Sequence, residues 1–420
     1  MKFIFACLFV SLYIVRPFEF IPSLYGSRIL LLCGVLGLLS VILSSINTNH
    51  KKWCANDSLI VGFFLAILLS HVTQFYLAGV IASFNKFLPA FFGYFLLSYS
   101  VETKKQVIMV CYVIVFCCCF VAVEGWFEYS RGVSYFGVEP LFQAYTSNGE
   151  RLIHTRIKWL GPFSDPNDLA LLFVLPFPFL IARFKQNKII SLIALALLVL
   201  GIYLTNSRGG VLSLFVAITV YFVLLYRNTK GMILSVIVIG LLFILGPSRL
   251  GEISAGESSA SGRLDAWYAG YQMFKESPLF GVGMGMFTDF HELTAHNSFV
   301  LIMAELGVFG LFFFVGFFWI PLKSFKSFLW GEQRNDLSPE DIALFSAFGA
   351  CLAAVVTSMS FLSRSYVFLP YLLVALIVRF GWVFSSREFM FEPGNNVIKQ
   401  ISMLTVLGII GVNIFIKIFI

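Results

Sequence analysis

The chain of 420 residues is 59% hydrophobic and only 12% charged, with a mean hydropathy of +0.89, which excludes a soluble globular domain and implies an integral membrane protein. Apolar runs of about 17 to 25 residues recur from end to end, so the spanning elements are helices: lipid offers no partner for open backbone groups, and barrel strands would alternate polar and apolar residues. The formal charge of +7 sits mainly in short loops between the runs, where it reports topology and gives no reason to expect nucleic acid.

In chain order the predicted spans are Phe3 to Val15, Ile29 to Ser45, Leu59 to Ala78, Leu88 to Val101, Val107 to Phe127, Leu169 to Phe184, Ile189 to Leu204, Val211 to Tyr226, Met232 to Leu245, Ser298 to Ile320, Ile342 to Leu362, Val367 to Phe384 and Ile401 to Phe419. The expectation is an all-α polytopic bundle of about 12 to 13 spans. The run from Met1 to Val15 is read as the first membrane helix, since no small-residue cleavage site precedes Arg16. Seven of the eight cysteines lie inside apolar runs without metal-ligand spacing and are read as packing or lipid-facing residues. No polar stretch is long enough for a separate soluble core, so residues 1–420 are expected to form one membrane domain.

Alternate loops are basic: Lys51 and Lys52, Lys104 and Lys105, Arg183 with Lys185 and Lys188, Arg227 and Lys230, Lys323 with Lys326 and Arg334, and Arg379 with Arg387 and Lys399. By the positive-inside rule these are cytoplasmic. The two long loops, 128–168 and 246–297, then face outward, and the second carries three cations against six carboxylates.

That second loop mixes chemistry with membrane. The Ser/Gly/Ala-rich stretch Ser254 to Gly262 reads as a flexible lead-in. After it, Leu264, Trp267, Tyr268, Tyr271 and Phe274 fall at helical spacing, which predicts an amphipathic interfacial helix with Ser261 at its N-cap, Pro278 beyond its end and Arg263 on its first turn. The glycines of Gly281 to Gly285 follow no strand, so they make a compact turn or a close backbone approach and not a dinucleotide site. His296 stands at the start of the next apolar run, with Asn297 placed to cap that helix. A histidine there can accept a proton from a hydroxyl, although a lone histidine is more often structural. Glu305 lies about 13 Å deeper along the same helix, where a carboxylate is costly unless paired or protonated. Gly307 and Gly310 suit close helix contact.

Other outward turns add cations. Arg208 lies in LTNSRGG, Arg364 in LSRSY, and the first long loop supplies Arg156, beside Arg151, His154 and Lys158, ahead of GPFSDPNDLA. In the last motif Asp165 or Asn167 is expected to cap a helix. Arginines gathered beside one histidine suit a substrate with a diphosphate and a lipid tail, because arginine makes paired bonds to phosphate oxygens and keeps its charge. The chemistry such a set would serve is substitution at a sugar's anomeric carbon with diphosphate leaving. With no Asp-rich motif on the outward side, neither a metal nor a cofactor is expected.

The order GPFSDPNDLA, TNSRGG, GRLDAW with SPLFGVGMGMF, and AHNSFVLIMAELGVFG resembles the bacterial O-antigen ligase and O-antigen polymerase superfamily over about Gly161 to Gly310. The resemblance implies a C-type glycosyltransferase fold, an undecaprenyl diphosphate-linked glycan donor, and an inverting, metal-independent transfer at the periplasmic face of the inner membrane. It places the family's functional arginines on Arg208 and Arg263 and its histidine on His296. Arg364, Arg156 and Glu305 are further candidates. Of the activities in the superfamily, a ligase with the lipid A core as acceptor is expected first and a repeat-unit polymerase second. Protein-glycosylating members carry an extra C-terminal region. Outside the superfamily, a flippase for lipid-linked glycans would also gather arginines, but transporters place charge near the midplane.

Overall fold

A computed structural model describes residues 1–46, 53–147, 150–227, 258–330, 337–384 and 395–419, with positions 233, 237, 334 and 335. The expected span Met232 to Leu245, apart from positions 233 and 237, and Ser254 to Glu257 of the lead-in lie outside the described residues. The described residues are 78% helical. In chain order its elements are α1 (Lys2–Val15), α2 (Ile29–Ile46), α3 (Ala55–Val72), α4 (Leu77–Ser100), α5 (Lys104–Arg131), a hairpin of β1 (Leu141–Ser147) and β2 (Glu150–Arg156), α6 (Pro166–Val174), α7 (Phe177–Ala182), α8 (Lys188–Thr205), α9 (Arg208–Tyr226), α10 (Ser258–Glu276), α11 (Phe287–Phe290), α12 (Ser298–Trp330), α13 (Pro339–Met359), α14 (Phe368–Phe384) and α15 (Asn395–Phe419).

Among the described residues, eight helices are long and apolar enough to cross a membrane, and three shorter apolar stretches, Ile29–Ser44, Pro166–Ala182 and Phe368–Val383, accompany them. The fourth predicted span, Leu88 to Val101, belongs to a longer helix that begins at Leu77 and continues through Pro89. The run Leu169 to Phe184 is two helices, parted at Pro176, because proline has no N–H to continue the ladder. α5 starts on a capping box in which Thr103 and Gln106 exchange bonds of 3.2 Å and runs to Arg131, with Gly132 left-handed after it. Glu128 therefore belongs to a helix and not to a loop. It takes the Lys158 amide at 3.0 Å, and Glu124 takes that of Tyr135 at 3.0 Å.

The rest of the first long loop folds as the antiparallel hairpin, with Phe142 opposite Thr155 and Leu141 opposite Arg156. The sequence reading did not anticipate it, because Arg151, His154 and Arg156 drew attention as a cationic cluster while the two-residue alternation beneath them went unread.

By contact density the chain forms two compact units. One comprises Met1–Gly37, Thr103–Ile253 and Phe325–Ser358; the other comprises Leu38–Glu102, Ser254–Ser324 and Met359–Ile420. In the first, α5 packs on α1 and α8, and α6 packs on α8 and α9. One end of it gathers ions: Lys104 meets Asp341 and, at 3.4 Å, Glu340, which also takes Arg183. Lys104 and Arg183 come from loops expected to be cytoplasmic, so the pairing places those loop ends together.

In the second unit α4 packs on α3 and α14, and α10 lies against α15. Its centre is a break in α12. Gly307 adopts φ 63 and ψ −161, and the backbone freed there pairs with the glycine-rich stretch before α11. Val282 and Gly283 donate to the carbonyls of Ala304 and Glu305 at 3.1 and 3.0 Å, while Val308 and Phe309 donate to those of Pro278 and Leu279 at 2.8 and 3.1 Å. The two backbones touch. A Cβ on Gly281 would collide with the Glu305 carbonyl, and one on Gly307 would lie 2.5 Å from the Leu279 carbonyl carbon. Glycine is required at both places by space and by backbone angle, φ being 72 at Gly281 and 63 at Gly307. Gly307→Ala is expected to destabilise the protein by about 2 kcal/mol or more, whereas Gly408→Ala, with nothing within 4 Å, leaves stability unchanged. Melting curves of the two variants in one detergent check this.

Candidate active site

The second unit brings Arg263, His296 and Arg364 onto neighbouring turns. α10 begins at Ser258, a turn earlier than a cap at Ser261 would allow, and ends before Pro278 as expected. Its buried stripe is Ala266, Gly270 and Met273, not the aromatic set: Tyr268 is 43% exposed. Small residues let the helix lie close on the protein, and a Cβ on Gly270 would stand 3.0 Å from both Phe287 and Val300. The helix is thus docked on the loop beneath it and is more than a float on the interface. Trp267 fixes it there, donating its indole N–H to the Ala295 carbonyl at 2.9 Å. Arg263 sits one turn earlier on the same helix face, and Ala295 is the residue before His296, so this bond ties the helix that carries the arginine to the segment that carries the histidine.

His296 has φ 47, a left-handed conformation that turns the chain sharply into α12. Asn297 caps that helix, its Oδ1 accepting from the amides of Phe299 and Val300 at 2.9 and 3.2 Å. Ser298, fully buried, then binds the turn that carries Arg364. Its hydroxyl donates to the Leu362 carbonyl at 2.6 Å and accepts from the Arg364 amide at 2.9 Å, and its carbonyl accepts from the Ser365 hydroxyl at 3.1 Å. Thr294 adds a hydroxyl bond to Ser363 at 2.6 Å. None of these serines drew attention in the sequence, although buried hydroxyls at both ends of two adjoining apolar runs are a readable sign of polar stitching.

Glu305 lies inside the unit, 1% exposed. It accepts from the Phe287 amide at 3.2 Å and the Tyr366 hydroxyl at 2.7 Å, and so ties the broken helix, the start of α11 and the far end of the Arg364 turn together. Burial first, and then the adjoining Glu305, push the Tyr366 hydroxyl well above its ordinary range, so it remains a donor at every working pH. His71 and Ser70, at the end of α3, hold the glycine-rich turn from the other side: Ser70 accepts from the Met284 amide at 3.3 Å, and His71 Nε2 lies 3.1 Å from the Met284 carbonyl.

Arg208 and Arg156 belong to the first unit. Ser207 caps α9, its hydroxyl accepting from the Gly210 amide at 3.1 Å, and Arg208 is the first residue of that helix. Gly210 is glycine because a Cβ would collide with that of Ala170, which packs SRGG directly on GPFSDPNDLA. Asp165 caps α6, accepting from the Asn167 amide at 2.7 Å. Arg156, 6% exposed, spends its guanidinium on protein acceptors: the Thr205 carbonyl at 2.9 Å, Gln143 Oε1 at 3.2 Å and Asn167 Oδ1 at 3.0 Å. Asn167 Oδ1 also accepts from Ser207 at 2.7 Å. Arg156 therefore braces the turn that presents Arg208.

The fold and these turns define a multi-pass helical membrane protein with its arginines and histidine on elaborated loops. Residues 193–315 match the family model described as O-antigen ligase, which supports the O-antigen ligase and polymerase superfamily of membrane glycosyltransferases for this chain. Arg208, Arg263, His296 and Glu305 fall within the match; Arg156 and Arg364 fall outside it. No curated protein matches the chain.

Ser298→Ala removes both bonds of the hydroxyl at once and is expected to cost about 2 to 3 kcal/mol, lowering both the melting temperature and glycan transfer. Arg156→Lys keeps the charge and loses the planar fork. It is expected to lower the melting temperature of the protein without substrate, which an arginine serving substrate alone would leave unchanged.

Proposed function

We propose that this protein is a glycan ligase of the bacterial inner membrane. It transfers a glycan from undecaprenyl diphosphate to an acceptor hydroxyl, the lipid A core being the acceptor, at the periplasmic face. The observation that carries this reading is the Trp267 bond to Ala295, which ties the helix bearing Arg263, a cation of fixed charge, to the residue before His296.

In the reaction, the acceptor oxygen attacks the anomeric carbon from the face opposite the diphosphate, so the configuration inverts. The C–O bond to phosphate breaks, and its electron pair leaves on the undecaprenyl diphosphate. His296 takes the proton of the attacking hydroxyl. Arg263 binds the diphosphate and meets the charge that grows on it, and Arg208 has the same role on the strength of its SRGG motif. Arg364, held to Ser298 by its amide, adds a further cation near His296. Fixed arginine charges supply the stabilisation that a metal supplies in other diphosphate chemistry, so transfer is metal-independent.

His296→Ala and Arg263→Ala are each expected to lower transfer from a purified lipid-linked glycan by about 10²-fold or more while the variants remain folded in the membrane. Wild-type turnover by the histidine variant would remove it from the mechanism, and unimpaired turnover by the arginine variant would undo its phosphate role. Deletion of the protein separates the reactions of the superfamily. Long glycan left on the carrier identifies a ligase, single repeat units identify a polymerase, and an unchanged glycan profile rejects both.

A further inference from the structure

One cation in the second unit has no part in the site described above. Lys86 lies in α4, nine residues from its outward end at Leu77, or about 13 Å along the helix. Its side chain is exposed, and among the described residues it makes no hydrogen bond and no ion pair. A lysine that only reaches for headgroups belongs at a helix end, and a charge set further into an apolar helix needs a partner or a ligand.

The surroundings of Lys86 favour a ligand. Its Nζ stands 3.9 Å from where a Cβ would lie on Gly285, an exposed glycine with φ 83 at the end of the glycine-rich turn. A side chain there would cover the ammonium, and glycine leaves it open. Glu305 is the carboxylate within electrostatic reach, but it is buried and already accepts from the Phe287 amide and the Tyr366 hydroxyl. It leaves the three N–H donors of Lys86 unoccupied.

We infer that Lys86 and the exposed edge of the Gly285 turn form an entry contact for the diphosphate of a polyprenyl carrier approaching sideways through the outer leaflet. This rests on the donor proposed above. A compact ammonium on a flexible stem suits such a contact: it attracts phosphate from many directions without fixing its orientation, the task left to arginine. Lys86 accordingly governs donor affinity and not the bond-making step.

The test uses the full-length protein in phosphatidylcholine nanodiscs, with farnesyl diphosphate as the probe and farnesol as its uncharged counterpart. Lys86→Met is expected to weaken farnesyl diphosphate binding about tenfold or more, to leave farnesol binding and the melting temperature unchanged, and to raise the KM for lipid-linked glycan with little change in kcat. Lys86→Arg is expected to restore most of the affinity. Wild-type affinity in Lys86→Met overturns the entry contact and leaves the proposed transfer standing. An equal loss for farnesol, or displacement of the probe by phosphatidylglycerol, also overturns it, in favour of packing or of a general anionic-lipid site. If the unaltered protein binds no polyprenyl diphosphate, the donor reading fails and this inference with it.

Discussion

The break in α12 is the constraint on which the second unit depends. A helix that stops inside an apolar run strands amides and carbonyls where no water can reach them, and each must find a partner within the protein. Here they find the Pro278–Gly283 backbone, which has lost its own helix after Glu276 and needs partners equally. The exchange satisfies both at once, provided that the two backbones approach to touching distance. Gly281 and Gly307 are the two residues that permit it.

Consequences spread outward from that crossing. Because α12 cannot slide past the glycine-rich turn, Glu305 sits at one height, and its two oxygens fix the start of α11 and the far end of the Arg364 turn. Two helical turns nearer the start of α12, Ser298 fixes the near end of the same turn. The Arg364 turn is therefore held at both ends by one helix. The first unit follows the same principle with different parts, since a buried guanidinium and a shared Asn167 oxygen hold the turn of Arg208. In each unit the loops that carry charge are fixed by buried polar groups, as accurate placement of reacting groups requires.

Most of the helical architecture was legible in the sequence, because twenty apolar residues in lipid leave the backbone one solution. The residues that carry charge were legible for a related reason: Arg208, Arg263, His296, Glu305 and Arg364 stand out against an apolar background in which every charge needs a cause. What supports them was hidden. Ser298, Ser365 and Tyr366 act through partners 61 to 67 residues away, and no local pattern announces such pairs. Arg156 looked like a substrate residue because its acceptors, Thr205, Gln143 and Asn167, become visible only when three separate segments meet. Trp267 fitted the apolar stripe of an interfacial helix, and its bond to Ala295 depends on what lies beneath that helix. Lys86 went unread because it falls between the predicted spans Leu59 to Ala78 and Leu88 to Val101, where a lone lysine reads as an ordinary loop cation; only the longer helix from Leu77 puts it inside a span.

The left-handed backbone of His296 bears on how this position can vary over evolutionary time. A residue with φ near 50° carries a steric cost that asparagine, aspartate and glycine bear at least as easily as histidine. Asn297 and Ser298 hold the turn through their own bonds, and the backbone angle at His296 is one that those smaller residues would adopt as well. Backbone geometry alone therefore gives no reason for histidine at this position. Retention of histidine across relatives would report on what the imidazole itself does, through its bonds and its chemistry, and not on the turn that carries it.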